Sequence, residues 1–233
     1  MKKTPVLLAT ALLVGCTATP ATRDSDQALN ALVEEYFDSQ LELSPMNATA
    51  IGESRYDDRL DESTSPGFRE KAIGIQRAYL DRARRLDPAQ LSPSARITYE
   101  IFVGEREQAL EGQKFPEELT PFNQMISLPM DLAVYGSGTG PQPFATAQDY
   151  DRFLKRLRQF PRWADDAIAM MREGMARGVT VPRAAMAKVV PQLRDLVTAK
   201  LEDSIFWAPV EAMPAAISAA EKQRITKIGR AHV

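Results

Sequence analysis

The sequence predicts an all-α fold, an irregular multi-helix array, from three observations. Apolar residues recur at helical spacing in stretch after stretch. Helix start and stop signals bracket those stretches. No sustained apolar/polar alternation is present to build a strand. About eight helices are expected on this pattern.

Taken in order, Ser25 or Asp26 can cap a first helix running to about Leu41, with Leu29, Leu32, Val33, Tyr36 and Phe37 on its buried face. Ser44-Pro45 opens a short helix that Gly52 stops, because proline suits a first turn and glycine a left-handed cap. Arg55 to Pro66 is polar and acidic and reads as a loop. Phe68 to Leu86 is helical, with Ala72, Ile75, Tyr79 and Ala83 inward and Arg82, Arg84 and Arg85 on a solvated face. Ser92-Pro93 starts the next helix, in which Ile97, Ile101, Phe102 and Leu110 face inward and Gly112 is the stop.

From Gln113 to Pro143 the prolines at 116, 121, 129, 141 and 143, with Gly136, Gly138 and Gly140, forbid a long helix. A loop of this length inside a compact domain is often functional. Asn123 and Gln124 are its adjacent amides. They are candidates to line a cleft and bind substrate backbone, or else they satisfy the loop's own backbone groups. The run Gly136-Ser137-Gly138-Thr139-Gly140 lacks the lysine and the strand-to-helix context of a phosphate cradle.

The strongest helical signal is Phe144 to Gln192. Thr146 and Asp149 make a near capping box. Tyr150, Phe153, Leu154, Leu157 and Phe160 then fall on one face, with Arg152, Lys155, Arg156 and Arg158 mostly on the other. Pro161 ends or kinks this helix. Trp163, Ala167, Ile168, Met171 and Met175 continue the period to a left-handed stop at Gly178, and Pro182 suits the start of a further helix. A stripe of Ala185, Val189, Leu193, Leu196, Val197 and Leu201 extends it through Glu202, kinked at Pro191.

A net charge of −2 over 233 residues gives no reason to expect nucleic-acid binding. One cysteine cannot make an internal disulfide, and one histidine leaves no zinc cluster. The pairs Glu34-Glu35, Asp57-Asp58, Glu117-Glu118 and Asp165-Asp166 are poor catalytic dyads where they lie on helices, since neighbours point about 100° apart. No catalytic residue and no metal ligand is assigned.

At the start of the chain, Lys2 and Lys3 precede a short apolar run ending Leu13-Val14-Gly15-Cys16, which resembles a bacterial lipobox. Residues 1–15 are then a signal peptide, Cys16 the lipidated residue, and 16–26 a flexible tether. Thr17 in place of aspartate implies a protein anchored in the cell envelope, at the outer membrane and facing the periplasm. Residues 27–227 form the helical domain, incomplete in this reading. Ile228 to Val233 translate one frame of a common sequencing adapter and are expected to be read-through, with Gly229 breaking the last helix and His232 carrying no function.

Ser44-Pro45, Gly52, Tyr56-Asp57-Asp58-Arg59-Leu60, Phe115-Pro116, Asn123-Gln124, Asp149-Tyr150, Arg156-Leu157, Pro161, Met171-Arg172, Gly174, Gly178 and Pro182 together resemble a bacterial family catalogued as domain of unknown function 885. The resemblance covers roughly Gln27 to Glu221. It implies the N-terminal half of a gluzincin-like helical peptidase fold. Zinc and a peptide substrate are implied for the intact protein, the membrane being met through the lipid anchor. The family's zinc motif, an HExxH-type helix, lies in a C-terminal half that this chain does not contain. An all-helical binding or scaffold lipoprotein is the alternative.

Overall fold

A computed structural model of the chain describes residues 20–198 and 200–232. The expected signal peptide, residues 1–15, with Cys16 and residues 17–19, lies outside the described residues. Every element among the described residues is an α-helix or a short 3-10 turn.

The first helix, α1, spans Pro20–Leu43. It therefore begins ahead of Ser25 and Asp26, and residues 20–26, expected in the tether, are helical. Proline is tolerated in a first turn, where its missing donor would have no partner anyway. Asp26 instead accepts from the backbone N–H of Ser92 at 3.0 Å, at the start of another helix. α2 (Pro45–Ala50) follows at once and ends at Gly52, whose φ of +88° is the left-handed stop expected. α3 (Phe68–Ala83) and α4 (Pro93–Gly112) pack with α1 as a three-helix unit. Leu32, Ala83 and Phe102 are buried at its centre, and Tyr36 meets Tyr79 and Phe102 edge-on, both at 5.3 Å.

Ile97 and Ile101 do not face inward: they are 60% and 57% exposed. Phe37 is likewise exposed. The inner stripe of α4 is Ala95, Tyr99, Phe102 and Arg106. Arg106 takes the place an apolar residue would hold, stacking its guanidinium 4.0 Å from the Tyr36 ring centroid.

The proline-rich segment is not wholly loop. It contains α5 (Leu128–Gly136), with Pro129 in its first turn. α6 (Ala147–Leu157) starts on a complete capping box between Thr146 and Asp149. Pro161 sits in the first turn of α7 (Phe160–Ala176), so the chain breaks and restarts there as expected. Gly178 has φ +73°, and Val179 N–H bonds back to Gly174 O at 2.8 Å. α8 (Arg183–Asp195) tolerates Pro191 and buries Val189. It ends well before Glu202, so the stripe does not continue: Val197 is 80% exposed. α9 (Ala208–Glu211) and α10 (Ala219–His232) complete the array. α10 runs through Gly229, which does not break it.

The larger core lies among α2, α5, α6, α7 and α8, around Met46, Leu60, Phe122, Tyr135, Phe153 and Trp163. Gly174 lets α7 approach the loop before α5. A Cβ there would stand 2.6 Å from Val179 O and 3.0 Å from Leu119 O, both backbone atoms that cannot rotate away. Gly174→Ala should therefore lose about 1–3 kcal/mol in urea denaturation, despite alanine's better helix propensity.

Candidate functional site

The most concentrated chemistry in the molecule is around Arg156, which is 0% exposed. α6 presents it to the segment joining α2 to α3. Its Nε donates to Arg59 O at 2.7 Å and its Nη1 to Gln142 Oε1 at 2.6 Å. Its Nη2 donates to Thr49 Oγ1 at 2.7 Å and to Tyr56 O at 2.8 Å. The Tyr135 ring lies 5.6 Å away and its hydroxyl donates to Met46 O. Burial pulls the guanidinium down from its ordinary value, and the nearby Asp57 opposes that pull.

The sequence periodicity assigned Arg156 to the polar face of α6, and the structure overturns that. Asp149, Phe153 and Arg156, spaced i, i+4, i+7, are all buried. The spacing to Asp149 and Phe153 is the signal that could have revealed it.

Neighbouring groups reinforce the same joint. Asp57 is buried, accepts from Thr49 Oγ1 at 2.8 Å, and has its other oxygen 3.8 Å from Arg152 Nη1. Lys155 pairs with Asp58 and holds that carboxyl below its usual range. Gln159 donates to Asp58 O and accepts from Leu60 N–H, and Thr64 Oγ1 donates to Trp163 O. Asp61 accepts from Met46 N–H at 2.8 Å and Ser44 Oγ at 3.2 Å; burial pushes its pKa up. Burial also raises Asp131. Two cavities of about 260 and 230 Å³ flank this segment and share Leu60, Glu62 and Ser65. Arg59 and Lys71 line the first, Arg158 and Arg162 the second.

Asn123 and Gln124 lie elsewhere. Asn123 Oδ1 accepts from Met125 N–H and Ile126 N–H at 2.8 and 3.0 Å, so this amide closes its own turn. Gln124 O accepts from Gln192 Nε2 at 3.3 Å, and Gln124 Oε1 is buried without a hydrogen-bond partner. Neither residue lines the two cavities. The glycine-rich run follows the C-terminus of α5, where Ser137 Oγ donates to Val134 O. That is the negative end of a helix dipole and repels phosphate.

The carboxylate pairs separate into unrelated contacts. Asp57 faces Thr49 while Asp58 faces Lys155; Glu118 pairs with Arg69, and Asp166 with Arg162. The residues present do not fit the zinc that the resemblance implies for the intact protein. Among the described residues no group of three or more His, Cys, Asp or Glu is placed to hold a metal ion. The single histidine, His232, is at the end of α10.

Fold and site thus define an all-helical protein whose sequence-specific features serve a buried arginine joint. The family model described as "Bacterial protein of unknown function (DUF885)" matches residues 45–233, and the chain belongs to that family. No curated protein and no solved structure matches it.

Removing Arg156 takes a donor from Arg59 O, Tyr56 O, Thr49 Oγ1 and Gln142 Oε1 and removes the buried cation whose charge faces Asp57. Arg156→Met keeps most of the volume, yet should cost about 3–5 kcal/mol in chemical denaturation, the range for breaking one side of a buried ionic network. Asp61 gives a pH signature of opposite sign to an ordinary ion pair. A carboxyl whose folded pKa is raised contributes stability that is complete below the unfolded value and is lost as pH rises through the folded one. The stability of the natural protein relative to Asp61→Asn should therefore fall as pH is raised from about 4, measured by denaturant titration at several pH values.

Proposed function

We propose that this chain is the lipid-anchored, helical N-terminal part of an envelope protein resembling a zinc metallopeptidase, and that it carries no catalytic residue of its own. The observation that carries the reading is uncovered apolar surface on three neighbouring segments. Met125 is 83% exposed and Ile126 lies beside it, Val134 projects from α5, and Val190 and Val197 lie on and just after α8. Gln192 ties α8 to the Met125 loop. Apolar surface grouped in this way on a soluble domain marks a contact face, here one for a further helical half that supplies the metal ligands. The helical wall then shapes a cleft for a peptide, while zinc, when bound by that further half, would activate water.

The alternative is a non-enzymatic scaffold lipoprotein. The Arg156 network favours it, because the guanidinium is fully buried and its nitrogens donate to acceptors within the chain, leaving none exposed to meet a substrate. The two readings part on the sequence that continues this frame in its gene, where only the peptidase requires an HExxH-type pair on a helix.

The chain itself, expressed in a bacterial host, should incorporate labelled palmitate at Cys16 and lose it in Cys16→Ser. Purified, it should show no chelator-sensitive peptide hydrolysis and no stoichiometric zinc by elemental analysis. Label persisting in the variant removes the anchor from this reading. One tightly held zinc per chain, needed for cleavage, removes the assignment of catalysis to another half.

A further inference from the structure

The helical start of α1 at Pro20 fixes more than a secondary-structure boundary. Pro20 is four positions beyond Cys16. A trans chain advances at most about 3.6 Å per residue, so the covalent reach between them is roughly 14 Å. That is about half the thickness of a bilayer's hydrocarbon core.

The first turns of α1 are also tied to the bundle. Ser25 Oγ donates to Gln90 Oε1 at 3.5 Å, and Asp26 accepts from Ser92 N–H at 3.0 Å. Leu29 is buried against Leu91 and Ala95. The anchor is therefore joined by a short leash to one end of the three-helix unit, and that end cannot swing independently.

We propose, on the reading that Cys16 is lipidated, that this end is the surface held against the membrane carrying the anchor. It consists of the first turns of α1, the 3-10 turn Pro88–Gln90 and the start of α4. Its exposed side chains include Arg23, Asp24, Arg85, Asp87 and Arg96, with the small Ala89. Mixed charge of this kind suits a zwitterionic headgroup layer and not hydrocarbon. No helix among the described residues is long and apolar enough to cross a membrane.

α1 then acts as a strut. Its 24 residues span roughly 36 Å at 1.5 Å per residue. Its far end runs directly into α2 and the segment that grips Arg156. The arginine joint and its flanking cavities are thereby held away from the bilayer surface, facing the aqueous compartment. A leash of eleven flexible residues would impose no such orientation.

The test uses the lipidated full chain in phosphatidylethanolamine–phosphatidylglycerol vesicles carrying a headgroup-bound quencher. Because the anchor consumes the one natural cysteine, a single introduced thiol can be labelled selectively. A fluorophore at Ala89→Cys should lose most of its emission, and one at Ala50→Cys, an exposed position at the end of α2, should keep it. A glycine-serine insert between Thr19 and Pro20 should relieve the quenching at position 89. With palmitate present on Cys16, equal quenching at both positions, or stronger quenching at position 50, overturns the orientation and leaves lipidation standing. Absence of palmitate overturns the lipidation reading, and the orientation with it.

Discussion

The burial of one guanidinium governs how this chain is assembled. Moving an unpaired cation into a protein interior costs several kcal/mol or more, so a fully buried arginine persists only where its donors are all met. Here two of the four close acceptors are backbone carbonyls of a single irregular segment, at Tyr56 and Arg59, with the side chains of Thr49 and Gln142 completing the set. A carbonyl acceptor fixes the path of the main chain and not merely a side chain. Arg156 thus dictates the course of the segment from α2 to α3, and through it where the three-helix unit meets the α5–α8 core. Helix packing alone tolerates sliding; a planar donor fork meeting acceptors in fixed positions does not.

This draws together two runs that are far apart in the chain. Tyr56-Asp57-Asp58-Arg59-Leu60 and the stretch from Lys155 to Gln159 lie about a hundred residues apart in sequence and meet at one joint. Acidic and basic residues across the two runs invite a catalytic interpretation. Their distances argue otherwise: Asp57 and Asp58 face different partners, and Arg156 has no exposed surface from which to meet a substrate. What the joint leaves open is the flanking pair of cavities, lined by Arg59, Lys71, Arg158 and Arg162 together with Glu42, Glu62 and Asp166.

Local signals were legible wherever the controlling interaction was local. The Thr146–Asp149 box, the break at Pro161 and the left-handed glycines at 52 and 178 each depend on atoms within a few residues. Errors arose where a distant segment decided. Ile97 and Ile101 have the right spacing for a core, but α1 and α3 pack on the neighbouring stripe through Phe102 and Arg106. Asp26 looked like a cap for its own helix and instead accepts from the start of α4. Arg156 could not be read from helical phase alone, because a periodic polar residue is ordinarily solvated. Its role depends on carbonyls about a hundred residues away.

The contrast between the closed polar interior and the open apolar exterior bears on what kind of contact this domain makes. Polar recognition needs donors and acceptors left over after folding, and at the joint they are largely used internally. On the side of Met125 and Val197 the reverse holds, with apolar side chains outside and the polar atoms Gln124 Oε1, Ser127 Oγ and Gln192 Oε1 buried without hydrogen-bond partners. An unmet buried acceptor costs about 1–3 kcal/mol, so three in one neighbourhood, beneath exposed apolar residues, form a surface that is costly when bare. Covering such a face removes apolar area from water and can bring donors to those oxygens. The arginine joint too keeps Asp57 Oδ2 and Gln142 Nε2 buried without hydrogen-bond partners, so what sets this face apart is its exposed apolar side chains. Association is therefore favoured on the α5–α8 side.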